Sequence, residues 1–224
     1  MDTQNIEFSL IQNAIDSIER AVELLAWKNV NNEGPRLKQA IVVTAHATEL
    51  LLKERLQHVH PSLVWEDVGK YPRLGTRTVG VDEAISRLSQ RGGITLKDTD
   101  AKIVKSLRTT RNAIEHFIWK TTREEANLIV GQGLSFAIQF AATELGTDIA
   151  HRFRADDTWD QLLYEHSAFA RAHAERIEQA NASAGTLAEE CSFCIAIARD
   201  ITTGACSLCG HWELPNDPDD ERPC

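Results

Sequence analysis

Every cysteine of this 224-residue chain lies between Cys191 and Cys224, and four of the five fall into two short motifs of the same Cys-Ser-x-Cys form. Cys191-Ser-Phe-Cys194 and Cys206-Ser-Leu-Cys209-Gly210 give the spacing C-x2-C-x11-C-x2-C. A disulfide framework spreads its cysteines through the fold, so clustering at one end points to a metal. Two Cys-x-x-Cys pairs, each on a tight turn, offer four thiolates in the tetrahedral arrangement that zinc favours. Four ligands leave no open coordination position, so the expected ion is structural Zn2+ at Cys191, Cys194, Cys206 and Cys209. A redox Cys-x-x-Cys pair or free thiols are the rival readings. Thr202-Thr203-Gly204 suits a chain reversal between the pairs, and Gly210 suits an unhindered backbone after the last ligand. His211 reads as a neighbour rather than a ligand, and Cys224 is left over. Asp217, Asp219, Asp220 and Glu221 make the end of the chain acidic, which favours a protein contact over RNA for this knuckle.

The preceding residues have helical periodicity. Ile11, Ile15, Ile18, Val22 and Leu25 recur on one face of an expected helix over residues 6–27. Asn31 to Pro35 reads as a break, and a second helix is expected over residues 36–59, stopped by His60-Pro61. A Gly/Pro-rich basic loop, Gly69 to Arg77, comes next. Further helices are expected over residues 81–91, from about 96 to between 116 and 119, over 123–153 with Gly131, Gly133 and Gly146 as soft points, and over 158–179. Residues 180–185 read as a linker. The expected class is all-α: an antiparallel helical bundle over residues 1–180, then linker and knuckle over 181–224.

Composition is that of an ordinary globular chain, with 42% hydrophobic and 25% charged residues. No run of uniformly apolar residues reaches the roughly 20 that a membrane helix needs, and the first residues lack a signal-peptide layout; a cytoplasmic protein without a membrane contact is expected. The net charge is −9. Residues 181–224 hold two basic and eight acidic residues, so −6 of it sits there and −3 on the rest. Such a chain does not coat nucleic acid, and any RNA contact must rest on a local basic cleft.

The string Ser106-Leu-Arg-Thr-Thr-Arg111-Asn112-Ala-Ile-Glu115-His116-Phe117 carries the chemistry of interest. Arg111 supplies a permanent charge and a fork of donors that suits phosphate. His116 can exchange protons near neutral pH, and Asn112 can bond a hydroxyl or phosphate oxygen. These are the parts of an RNA transesterification that uses no metal. Five residues along a helix correspond to roughly 140° of rotation. Arg111 and His116 therefore converge only through side-chain reach, helix distortion or a second protomer. A capping cation and a surface histidine are the plain alternative.

Arg111-Asn112-x-x-x-His116, late in a helical bundle, resembles the R-x(4–6)-H signature of HEPN domains, including the polar residue after the arginine. Ala45-His46-Ala-Thr-Glu49-Leu-Leu-Leu-Lys53 looks like the E-x-x-x-K pattern found upstream in that superfamily. The resemblance covers residues 6–153. It implies a homodimer in which two such motifs face one cleft, with Arg111 and His116 catalytic, Asn112 positioning the scissile phosphate, and Glu49 and Lys53 supporting the cleft. Many such domains are ribonucleases of toxin–antitoxin or antiphage-defence systems that leave 2′,3′-cyclic phosphate ends, so an antitoxin or defence protein is an implied partner. One departure is Ile118, where one HEPN toxin group carries a tyrosine that its partner modifies.

The loop residues Lys70, Tyr71, Arg73 and Arg77, with Arg108, are the expected RNA contacts, because loops host binding and Tyr71 could stack on a base. A plain connector is the alternative. Trp27, Trp65 and Trp119 read as core or interface residues. Two functions are carried forward: a metal-independent endoribonuclease, and a non-catalytic HEPN dimerisation module whose knuckle recruits a partner.

Overall fold

A computed structural model describes residues 6–27, 33–154 and 157–214. Cys224, the acidic residues 217–221 and the Asn31-Asn32 break lie outside these. Within them the chain forms eight α-helices and one two-stranded sheet. The helices are α1 (Leu10–Ala26), α2 (Glu33–Val59), α3 (Val81–Arg91), α4 (Asp98–His116), α5 (Arg123–Leu145), α6 (Ala150–Phe153), α7 (Thr158–Glu165) and α8 (Ser167–Ala184). The strands are β1 (Ala188–Glu190) and β2 (Ile197–Asp200), which pair antiparallel.

The core is built around α2 and α5. α2 packs on α1, α3, α4 and α5, while α5 also packs on α4 and α8. Helices with so many neighbours are buried nearly all round. Leu37, Ile41, Leu51, Leu52 and Leu56 of α2 are buried, as are Val130, Leu134, Phe136, Ile138 and Phe140 of α5. α5 is also the one helix among the described residues long and apolar enough to cross a membrane; 56% of its most apolar window is buried, as in a core helix.

Several sequence expectations need correction. α1 begins at Leu10 rather than residue 6, because Ser9 and Gln12 form a reciprocal capping box: Ser9 Oγ accepts from the Gln12 amide and Gln12 Oε1 from the Ser9 amide. α2 begins at Glu33, so Gly34 and Pro35 lie in its first turn, where a proline's missing N–H is no loss. The helix expected over 123–153 ends at Leu145, since Gly146 adopts φ 63° and terminates it. Gly131 and Gly133 are contact points, not soft points. A Cβ on Gly131 would lie 2.7 Å from the Phe169 amide nitrogen, and one on Gly133 would lie 2.9 Å from a Leu107 methyl. The helix expected over 158–179 is two, divided at His166, whose Nδ1 caps α8 by accepting from the Phe169 amide at 3.2 Å.

Residues 180–184 are no linker: α8 runs through them to Ala184 and ends at Gly185 with φ 69°. The cysteine segment then packs back on the bundle. Leu163 of α7 and Ala174 and Ile177 of α8 lie against the buried cluster of Cys191, Ala198, Cys206, Leu208 and Cys209. Trp159 Nε1 donates to the Leu208 carbonyl at 2.7 Å, and Arg154 Nη2 to the Ser207 carbonyl at 3.1 Å.

Candidate functional site

The best-defined site is the cysteine cluster, where two turns repeat one another. In the first, the Ile195 amide donates to the Cys191 carbonyl at 2.8 Å and the Cys191 amide to the Ala196 carbonyl at 2.9 Å. In the second, Gly210 donates to Cys206 and Cys206 to His211, both at 2.8 Å. The residue after each pair takes a left-handed conformation, Ile195 at φ 64° and Gly210 at φ 79°. Glycine meets this need in the second turn; in the first a β-branched residue carries the strain. The His211 amide also approaches Cys209 Sγ, at 3.4 Å.

These turns bring the four sulfurs within 4.8 Å of one another. Cys191 and Cys209 Sγ are 3.7 Å apart, and Cys194 and Cys206 Sγ 3.6 Å. A tetrahedral ion with metal–sulfur bonds of about 2.3 Å holds its ligands about 3.8 Å apart, so the spacing fits a zinc-sized ion. The sulfurs also act on one another's protons. Donation from Cys194 and Cys209 pushes the Cys206 thiol down, while contacts with the neighbouring sulfurs push Cys194 and Cys209 up. Four sulfurs this close ionise together only around a cation. The cluster could therefore bind a metal ion such as zinc.

Around it, Arg199 is buried and bridges two acids, Glu189 Oε1 at 2.5 Å and Glu213 Oε2 at 3.1 Å. Glu213 also accepts from the Ser192 hydroxyl; that bond first, and Arg199 after it, hold its carboxyl below the usual range. His211 is not in the sulfur cluster; its ring stacks on Phe193 with centroids 5.3 Å apart.

The second candidate region lies where α4 crosses α2. Glu49 from α2 and Arg108 and Arg111 from α4 line one narrow cleft with Ala45, Thr48 and Leu107. Its volume is about 10 Å³, room for about one water, so a larger ligand could only sit over its mouth. The charges are already arranged. Lys53, 8% exposed, donates to Glu49 Oε1 at 2.6 Å and to Thr78 Oγ1 at 2.9 Å. Arg108 Nη1 reaches Asp82 at 2.6 Å, leaving its buried Nε without a hydrogen-bond partner. Arg111 Nε lies 2.8 Å from Glu115 Oε2.

His116 and Asn112 do not line this cleft. His116 is the exposed last residue of α4, with its ring edge-on to Phe117. One chain thus gathers Arg111, Arg108, Glu49 and Lys53 but leaves His116 apart, as the helical rotation implies.

The basic loop touches this region through Thr78, the residue after Arg77. Lys70, Arg73 and Arg77 are exposed. Lys70 pairs with Asp67 at 3.6 Å. Tyr71 is 41% exposed and packs edge-on against Trp65 with centroids 5.0 Å apart, so half its ring is committed to the fold. Trp65 and Trp119 pack against the core, whereas Trp27 is 52% exposed. Sequence reasoning passed over Glu115, though its place four residues after Arg111 was a readable signal. It also passed over Trp159, Arg154 and Arg199, which act across long separations.

Compared with known protein families, curated proteins and solved structures, the chain matches none.

Proposed function

We propose that this chain is a metal-independent endoribonuclease of HEPN type, acting as a homodimer, with a structural zinc in its cysteine knuckle. The observation that carries the reading is the convergence of Arg111, Arg108 and Glu49 from two helices on one cleft, with Lys53 tied to Glu49. Such a cluster presents a guanidinium to a phosphate while its own acid is already neutralised.

In this reading His116 of a second protomer meets Arg111 across the dimer interface. The histidine takes the proton from a ribose 2′-hydroxyl as that oxygen attacks phosphorus. The P–O5′ bond breaks, and the departing oxygen takes a proton from water, whose hydroxide the imidazolium of His116 then neutralises. Arg111 stabilises charge on the phosphorane and Asn112 fixes the scissile phosphate. The products carry 2′,3′-cyclic phosphate and 5′-hydroxyl ends. Lys70, Tyr71, Arg73 and Arg77 guide the flanking RNA. Zinc at Cys191, Cys194, Cys206 and Cys209 holds the two turns together and takes no part in cutting. A toxin or antiphage-defence role, with an antitoxin or other defence protein as partner, follows from the resemblance.

A second reading is a non-catalytic dimerisation module whose knuckle recruits a protein. The observation favouring it is the apolar surface of the knuckle, where Ile195 is 72% exposed, Phe193 58% and Trp212 56%. Purified chain incubated with mixed-sequence RNA, without added divalent cations, separates the two. Fragments ending in cyclic phosphate support the ribonuclease; intact RNA together with a stable dimer supports the module.

A further inference from the structure

The Arg111–Glu115 pair is poorly explained as a stabilising element. Its side chains are 36% and 30% exposed. An i,i+4 pair of this kind adds little to helix stability, and acid after base is the weaker order. Glu115 is also the penultimate residue of α4, where the negative end of the helix dipole disfavours a carboxylate. The two terms oppose one another, so helix stability does not account for an acid here.

The position of Glu115 makes sense relative to the cleft. Glu49, the acid that lines the cleft with Arg111, is taken by Lys53 at 2.6 Å. Arg108, the other cation there, is taken by Asp82 at 2.6 Å. Arg111 is held by Glu115, which is not among the lining residues, through Nε at 2.8 Å. Among the described residues Arg111 has no other ion-pair partner. Its pairing partner thus lies outside the cleft lining.

We propose that Glu115 is a positioning residue: it fixes the Arg111 guanidinium with its Nη edge turned towards a phosphodiester at the cleft mouth. This rests on the ribonuclease reading above. Neutralising Glu49 is a precondition, since an unpaired Glu49 would compete for Arg111.

The test compares wild type with Glu115→Ala. Three quantities are measured: steady-state RNA cleavage, the thermal midpoint, and the NMR order parameter of the Arg111 Nε–H bond. Misplacing a catalytic group costs on the order of 10- to 100-fold, so kcat falls by about that factor while KM changes less than about threefold. The thermal midpoint does not fall, which a structural ion pair would not allow. The order parameter drops from a rigid value of about 0.85 to below about 0.6. Unchanged cleavage with an unchanged order parameter overturns the proposal, as does a fall in thermal midpoint that accounts for the lost activity. If the wild type cuts no RNA, the ribonuclease reading falls by itself, and the order parameter still decides whether Glu115 fixes Arg111.

Discussion

Trp159 Nε1 and the Leu208 carbonyl meet at 2.7 Å in a buried contact, joining helix α7 to the second cysteine turn. The ring is 1% exposed, stacks on Phe153 and meets Phe169 and His173 edge-on. Closing the cysteine turns around a metal therefore also supports the aromatic core beneath. One zinc per chain is expected by elemental analysis, and Cys206→Ser is expected to abolish it. Chelation is expected to lower the thermal midpoint and to shift Trp159 fluorescence to the red. Trp159→Phe keeps most of the ring but strands the Leu208 oxygen, with a loss of about 1–3 kcal/mol in denaturant melts. A metal-free protein with an unaltered midpoint contradicts this coupling.

His173 is fully buried against Phe169 and Trp159, and burial first, then Arg176, pulls its pKa from 6.5 to about 3. The fold thus refuses a proton that the unfolded chain accepts below pH 6.5. Stability is complete at neutral pH and is lost as pH falls from 6.5 towards 3. Between pH 7 and 5.5 this group alone removes about 1.3 kcal/mol. His173→Leu is expected to flatten that part of the pH–stability curve by about the same amount, whatever it does at pH 7. An equally steep curve in the variant would assign the slope to other groups.

Gly131 and Gly34 predict opposite responses to alanine. A Cβ on Gly131 strikes the backbone of Ala168 and Phe169 at 2.9 and 2.7 Å, where α5 and α8 touch. Gly131→Ala is expected to destabilise by about 1–3 kcal/mol. A Cβ on Gly34 meets nothing within 4 Å, and the residue is helical. Gly34→Ala is expected to stabilise by up to about 1 kcal/mol. Paired urea melts check both signs.

Lys53 holds Glu49 in a largely buried pair. Lys53→Met leaves that acid without its cation and is expected to lose about 1–3 kcal/mol, most of which Lys53→Met with Glu49→Gln restores. A double variant as unstable as the single one would show that Lys53 acts through packing rather than charge.

How far the sequence could be read depended on the distance over which each signal acts. The cysteine turns are local, and C-S-Φ-C written twice defined both turns and their ligands. Periodicity identified the helices, but their ends were set by single contacts. Ser9 with Gln12 was a readable capping box, whereas His166 as a cap was not, since histidine is not a residue that usually signals one. Gly131 looked like a weak point in α5 because only the tertiary approach of α8 gives it a purpose. The supposed linker at 180–185 had small polar residues with no visible partner, yet α8 continues through them to the Gly185 cap. Arg111, Glu49 and Lys53 stood out in the sequence, and the structure brings them to one region while His116, at the exposed end of α4, stands apart from them.

The most direct test of the account is RNA cleavage by wild type beside His116→Ala and Arg111→Ala, without added divalent cations and with the 3′ ends analysed. Wild type is expected to cut and leave 2′,3′-cyclic phosphate, and each variant to lose at least about 100-fold with the fold and dimer intact. Cutting by His116→Ala at the wild-type rate, or wild-type products with 3′-hydroxyl ends, would contradict it.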